Sequence, residues 1–117
     1  MRDHHKLRAF ELADTFALAV YSATSSFPRE EIFGLTSQLR RAAVSVPSNI
    51  VEGSARQSQA DYLRFLDIAY GSLMEAGYQL SLATRLGYLP AEKFRELDNL
   101  CAETGKVLNG LIRALRK

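Results

Sequence analysis

From Leu35 to Gly53 apolar and small residues return at spacings of three and four: Leu35, Leu39, Ala42, Ala43, Val46, Ile50 and Gly53. On a helix turning about 100° per residue these positions share one sector, which is the pattern of a core-facing stripe. Gln38, Arg41, Ser45, Ser48 and Glu52 fill a second, polar sector, with Asn49 at its edge, and Arg40, Val44, Pro47 and Val51 form a third. The period survives Pro47. A proline inside a helix removes one N–H and crowds the carbonyl four residues back, at a cost of about 3 kcal/mol in an isolated helix. Ser45, Ser48 or Asn49 offers side-chain partners for the freed carbonyls. The pattern predicts one proline-kinked helix over about 35–55 rather than two helices.

The rest of the chain has the same periodicity. A first helix is expected from about Lys6 to Ser25, with Leu7, Phe10, Ala17 and Tyr21 as its stripe, Asp14 interrupting it and Leu18 flanking it. In SSFPREEIFG, Pro28 suits the opening of a short helical turn and Gly34 its close. A third helix is announced by the capping-box-like Ser58–Asp61 and continues to about Leu86, a rod of about 43 Å. Gly87 suits a C-terminal cap and Pro90 the first turn of a fourth helix. Phe94, Leu97, Cys101, Thr104, Leu108, Leu111 and Leu115 give that helix a three-four seam. Four amphipathic helices with short connections predict an all-α fold, an antiparallel up-down four-helix bundle, as a single domain over residues 1–117.

The third helix has more apolar surface than a single core uses. Tyr62, Phe65, Leu66, Ala69, Leu73, Ala76, Leu80 and Ala83 already make a core face. Leu63, Tyr70, Met74 and Gly77 widen it sideways, as Val44 and Val51 do on the second helix. An arc this broad faces either deep burial or a partner. An oligomer with Val44, Val51, Leu63, Tyr70 and Met74 at its interface is therefore expected; the alternative is a wide core with thin solvent cover.

Composition removes several function classes. At 117 residues, 47% hydrophobic and 24% charged, the chain has an ordinary globular make-up, and a net charge of only +2 leaves any nucleic-acid footprint to the placement of the charges. The lone Cys101 fits a reducing cytoplasm, and on the seam of the fourth helix it reads as a core thiol rather than a nucleophile. The charged N-terminus lacks a signal peptide's apolar region, and FALAVY is too short to span a bilayer. A bacterial cytoplasmic protein with no membrane role is expected. Glu52 and Glu75 lack the Glu-x-x-His partners of a di-metal bundle, since His4 and His5 lie at the extreme N-terminus. No glycine-rich phosphate loop and no nucleophile–base pair is legible. No enzyme, metal or cofactor is expected. Arg113, Arg116 and Lys117 suit the negative end of a helix dipole.

Arg40, Arg41, Arg56 and Arg64 form an arginine group near the second helix and the start of the third, with Glu52, Asp61, Asp67 and Glu75 among them. They pair as ions on a solvated face or contact phosphates on an oligomer, and the residues alone favour the first.

The stretch FPREEIFGLTSQLRRAAVSVPSNIVEGSAR, followed by DYLRFLDIAYGSLMEAGYQL, LGYL and LNGLIRAL, resembles the four-helix-bundle family of the 23S ribosomal RNA intervening-sequence protein. The resemblance implies a ring-shaped homopentamer. More distantly, the chain is similar to accessory proteins of diversity-generating retroelements, pentameric barrels that bind nucleic acid and a reverse transcriptase. The expectation is a non-enzymatic homopentameric adaptor for RNA or DNA, with a nucleic-acid enzyme as a further partner. Arg40, Arg41, Arg56 and Arg64 would contact phosphates, and Gln38, Ser45, Ser48, Asn49 and Glu52 would form a structural polar stripe around the Pro47 kink. The alternative is a protein-binding oligomeric scaffold with no nucleic-acid role.

Overall fold

The computed structural model describes residues 2–117. A 3-10 turn, His4–Lys6, leads into α1 (Arg8–Thr24); a second, Arg29–Glu31, leads into α2 (Leu35–Ser54); α3 (Gln59–Arg85) and α4 (Ala91–Arg116) follow. Among the described residues there is no strand. Each helix packs on two neighbours, α1 and α3 both touching α2 and α4, so the four surround one core in a molecule of 43 × 24 × 19 Å. Cross-helix contacts give the directions. Arg40 near the start of α2 bonds Thr24 at the end of α1, Ser45 meets Ser72 while Gln38 meets Gln79, and Gln59 at the start of α3 bonds the Leu115 carbonyl near the end of α4.

The helix ends are set by local chemistry. Ser58 caps α3, its side chain accepting from the Asp61 N–H at 3.1 Å. Gly87, at φ +83°, closes α3: its N–H donates to Thr84 and that of Tyr88 to Ala83, the paired bonds of a Schellman ending. Pro90 sits one place earlier than expected, as the N-cap of α4, its carbonyl accepting from Phe94. At the start of α2 the cap comes from outside the helix. Glu31 accepts from the Leu35 N–H at 3.0 Å and from the Tyr88 hydroxyl at 2.9 Å, tying the α1–α2 connection to the α3–α4 connection.

These two bonds, the Leu35 N–H foremost, hold the Glu31 carboxyl below its usual 4.5. A lowered folded pKa stabilises above the unfolded value, and that contribution is lost as pH falls through the folded one. Urea midpoints should therefore separate wild type from Glu31→Gln at pH 7, and the gap should narrow as pH falls below 4.5. A gap unchanged by pH would show that the charge of Glu31 contributes nothing.

The expected core faces of α2 and α3 are buried at every position named above. Helix α2 is one continuous helix through Pro47. The Asn49 amide bonds the Ser45 carbonyl and hydroxyl, and Ser54 bonds Ile50, so these side chains do not serve Ala43, whose carbonyl the proline leaves free. Two phases differ from expectation. The core side of α1 is Ala9, Ala13, Phe16, Ala17, Val20 and Ala23, whereas Tyr21 and Leu18 are 45% and 68% exposed. In α4 the seam passes through Ile112, leaving Leu111 half-buried, because 3.6 residues per turn drift from a seven-residue repeat.

Candidate functional site

The arginine group is divided. Arg40 lies near the start of α2 and Arg56 in the turn beyond its end, with about 21 Å of helix between Arg40 and Ser54 at 1.5 Å per residue. Arg40 is half-buried and committed within its own bundle. Its Nε donates to Thr24 Oγ1 at 2.8 Å and Nη2 to the Tyr21 carbonyl at 3.4 Å, and the guanidinium lies 4.7 Å from the Tyr21 ring centre. It serves the C-terminal end of α1, where cations are favoured. Arg41, one residue on, faces α3 instead.

Arg56 and Arg64 do come together, at the α2–α3 turn. Their guanidiniums sit 4.7 and 4.6 Å from the centre of one ring, that of Phe65. Arg56 also meets Glu52 at 3.4 Å and Arg64 meets Asp61 at 3.8 Å, both exposed pairs that contribute little. Glu52 thus pairs within its own chain. A third cation joins them that sequence reasoning missed. Arg2 donates to the Arg56 carbonyl at 2.6 Å and stacks 4.2 Å from the Tyr62 ring centre. Helical periodicity does not reach a residue ahead of the first helix, and no motif around Arg2 marks it. Arg116 sits at the same end, joined to Asp67 at 2.5 Å.

The polar stripe is also divided. Gln38, Arg41 and Ser45 line an open groove of about 300 Å³ with Ser72 and Glu75 of α3. Ser45 and Ser72 hydroxyls are 2.9 Å apart, and Asn49 donates to Ser45. Gln79 donates from Nε2 to Gln38 and to Glu75, and its own Oε1 is buried with no partner. Ser48 belongs elsewhere, on the α1–α2 flank.

That flank carries an open apolar groove of about 480 Å³ between Phe10, Leu18 and Tyr21 of α1 and Val44, Pro47 and Val51 of α2, with Asp14 and Ser48 as its polar members. Pro47, expected to lie away from the core, is buried here, because α1 covers it. Val44 and Val51 remain 38% and 37% exposed. The other expected interface residues lie across the bundle. Tyr70 and Met74 reach over Gly105 of α4, where a Cβ would stand 3.9 Å from Tyr70 and 3.6 Å from Met74. Leu63 and Tyr70 are half-buried against their own core, while Met74 is 44% exposed. Since α2 and α3 are neighbours within the four-helix circuit, the α1–α2 and α3–α4 flanks are opposite sides of the molecule.

Cys101 is buried and free, and burial, with Asp98 adding to it, pushes its thiol up to about 11. It is a thiol at neutral pH and its Sγ faces the Leu73 carbonyl at 3.7 Å. His5 is held by Asp3, and both imidazoles pack against Phe10. No group of three or more metal-ligating side chains is gathered among the described residues, and none of their helices is long and apolar enough to cross a membrane.

Fold and surface define a four-helix bundle with an open apolar groove on its α1–α2 flank, an exposed Met74 on the opposite flank and stacked arginines at one end. The chain belongs to the family of the 23S rRNA-intervening sequence protein, whose model matches residues 5–110. It is similar to the crystal structure of a protein of unknown function from the S23 ribosomal protein family of Bacteroides thetaiotaomicron. The two are 26% identical with a TM-score of 0.82, over 90% of this chain and 95% of that one. The comparison with curated proteins gave no match.

Proposed function

We propose that the protein is a non-catalytic, self-assembling module that presents arginines to nucleic-acid phosphates. What supports the assembly is the open apolar groove on the α1–α2 flank, together with the exposed Met74 on the opposite one. A patch that met its own copy across a two-fold axis would need only one such surface; two different ones suit head-to-tail association. Copies joined that way around a rotation axis close a ring, for which the family resemblance implies five members. All subunits then point the same way along the axis, so every Arg2–Arg56–Arg64 end falls on one face of the ring. A few cations per subunit become a continuous basic surface, and two of the three guanidiniums are already oriented over Phe65.

The α2–α3 turn, rather than Arg40, is the phosphate-contacting end on this reading. Replacing Arg56 and Arg64 together by Gln should weaken binding to structured RNA and reduce the slope of log affinity against log salt by about two for each subunit in contact. Oligomer mass and helicity should not change. Equal binding by the variant would remove this end as the site. A protein-binding scaffold with no nucleic-acid role is the second reading, favoured by the commitment of Arg40 to α1. It requires that wild type fail to bind RNA or duplex DNA even at low salt.

A further inference from the structure

We propose that the Arg2–Arg56–Arg64 end takes unpaired nucleobases by stacking, so that its substrate is single-stranded rather than duplex nucleic acid; this rests on the nucleic-acid reading above. Contact with phosphates needs only positive charge beside a backbone. Here the charge is held over rings. The Arg2 guanidinium lies 4.2 Å from the Tyr62 ring centre, and those of Arg56 and Arg64 lie 4.7 and 4.6 Å from that of Phe65. The rings have no face to offer a base themselves, since Tyr62 is 3% and Phe65 7% exposed. The cations that cover them do. Arg56 and Arg64 are exposed and Arg2 is half-buried.

The hydrogen bonds of a guanidinium leave from its edge, because all five N–H groups lie in its plane. Arg56 meets Glu52 in that way, and Arg2 meets the Arg56 carbonyl. Both bonds fix the group and leave its outer face free. A planar, weakly hydrated cation fixed like this stacks on the face of a base. A cleft of about 580 Å³ between Arg2, Ala55, Arg56 and Gln57 gives the base a place. Small-ligand sites run from about 300 to 1,000 Å³. Among the described residues no carboxylate lines the cleft. Gln57 is exposed there, and its amide has the two donors and the acceptor that suit a base edge. In a duplex the base faces cover one another and the edges are paired, whereas an unpaired base offers both. The two modes of contact differ in sign. A surface that reads charge alone favours the duplex, which carries one charge per about 1.7 Å; a surface that stacks favours the strand.

The test is fluorescence anisotropy of the full chain with three RNA probes, each titrated with salt: a short single strand, the duplex of the same sequence, and a strand of the same length with abasic sites in place of its bases. Wild type should bind the single strand at least about ten-fold more tightly than either of the others. Replacing Arg2, Arg56 and Arg64 together by Lys keeps every charge and removes every guanidinium plane. That variant should keep its helicity, its affinity for the abasic strand and its salt slope, and lose the preference for bases. A DNA strand of the same sequence tells which sugar is accepted: binding equal to RNA assigns the site to bases of either nucleic acid, and weaker binding to those of RNA. Equal binding of the abasic strand, tighter binding of the duplex, or a lysine variant with the wild-type preference would overturn stacking and leave phosphate contact standing. Failure to bind any of the probes at low salt would remove both.

Discussion

In the proposed oligomer, Val51→Glu should leave only a folded monomer of 13.1 kDa. The position is 37% exposed on an α2 surface, and Glu has the better helix propensity, so the isolated bundle should tolerate the change within a few tenths of a kcal/mol. In an apolar contact between copies the same carboxylate would be buried unpaired, a cost of several kcal/mol, or more than about a thousand-fold per contact. Asp14 already stands in that groove, so a second negative charge finds no cation there. Light scattering after size exclusion should give the monomer mass while circular dichroism stays unchanged; retention of the wild-type mass would exclude the α1–α2 flank from the interface.

The proposed head-to-tail arrangement has a sharper consequence. Met74→Glu spoils the opposite flank and should also yield monomers. Each variant keeps one good surface: the first its α3–α4 flank, the second its α1–α2 groove. Mixed together, they can form one sound contact and no more, so the mixture should give a dimer of one copy of each. A two-fold interface built from the α1–α2 groove alone would leave Met74→Glu assembled and the mixture without such a dimer.

The faces of α2 and α3 are legible in the sequence because large apolar residues mark them at every turn. The face of α1 is not. Phe10 and Tyr21 draw the eye, but they line the outer groove, and the true core side is written mostly in alanine, a residue that a buried and an exposed face use equally. The same error of phase conceals the burial of Pro47, since a helix wheel of α2 does not show which side α1 covers. The arginines show a different limit. Helical spacing gives the direction of a side chain around its own axis, not what stands next to it. Arg40 and Arg41 are adjacent in sequence, yet one is taken up by the end of α1 and the other by the α2–α3 groove. Arg56 and Arg64 lie on opposite sides of a turn and share one ring only because that turn folds back.

That fold-back depends on Gly53, and Gly53→Ala should destabilise the protein by about 1–2 kcal/mol where helix propensity alone gives the opposite sign. Gly in a helix interior costs about 1 kcal/mol relative to Ala, so the exchange is favourable in open space. Gly110 is such a place, with nothing within 4 Å of where an alanine methyl would stand, and Gly110→Ala should gain close to that amount. At Gly53 a Cβ would stand 2.8 Å from Phe65 Cβ, 3.2 Å from Tyr62 Cδ1 and 3.3 Å from the Tyr62 carbonyl oxygen. Phe65 Cβ is rooted on the backbone and cannot swing away, and neither can a carbonyl within α3. The two helices must separate, and overpacking of that kind costs typically about 1–3 kcal/mol, more than the propensity gain. Urea unfolding at constant m should place the two alanine variants on opposite sides of wild type. The displaced residues are Tyr62 and Phe65, the rings beneath Arg2, Arg56 and Arg64. Gly53→Ala should therefore weaken RNA binding as well, although it removes no charge, while Gly110→Ala leaves binding intact. If both variants bind alike, the stacked geometry of the arginines is immaterial and only their charge counts.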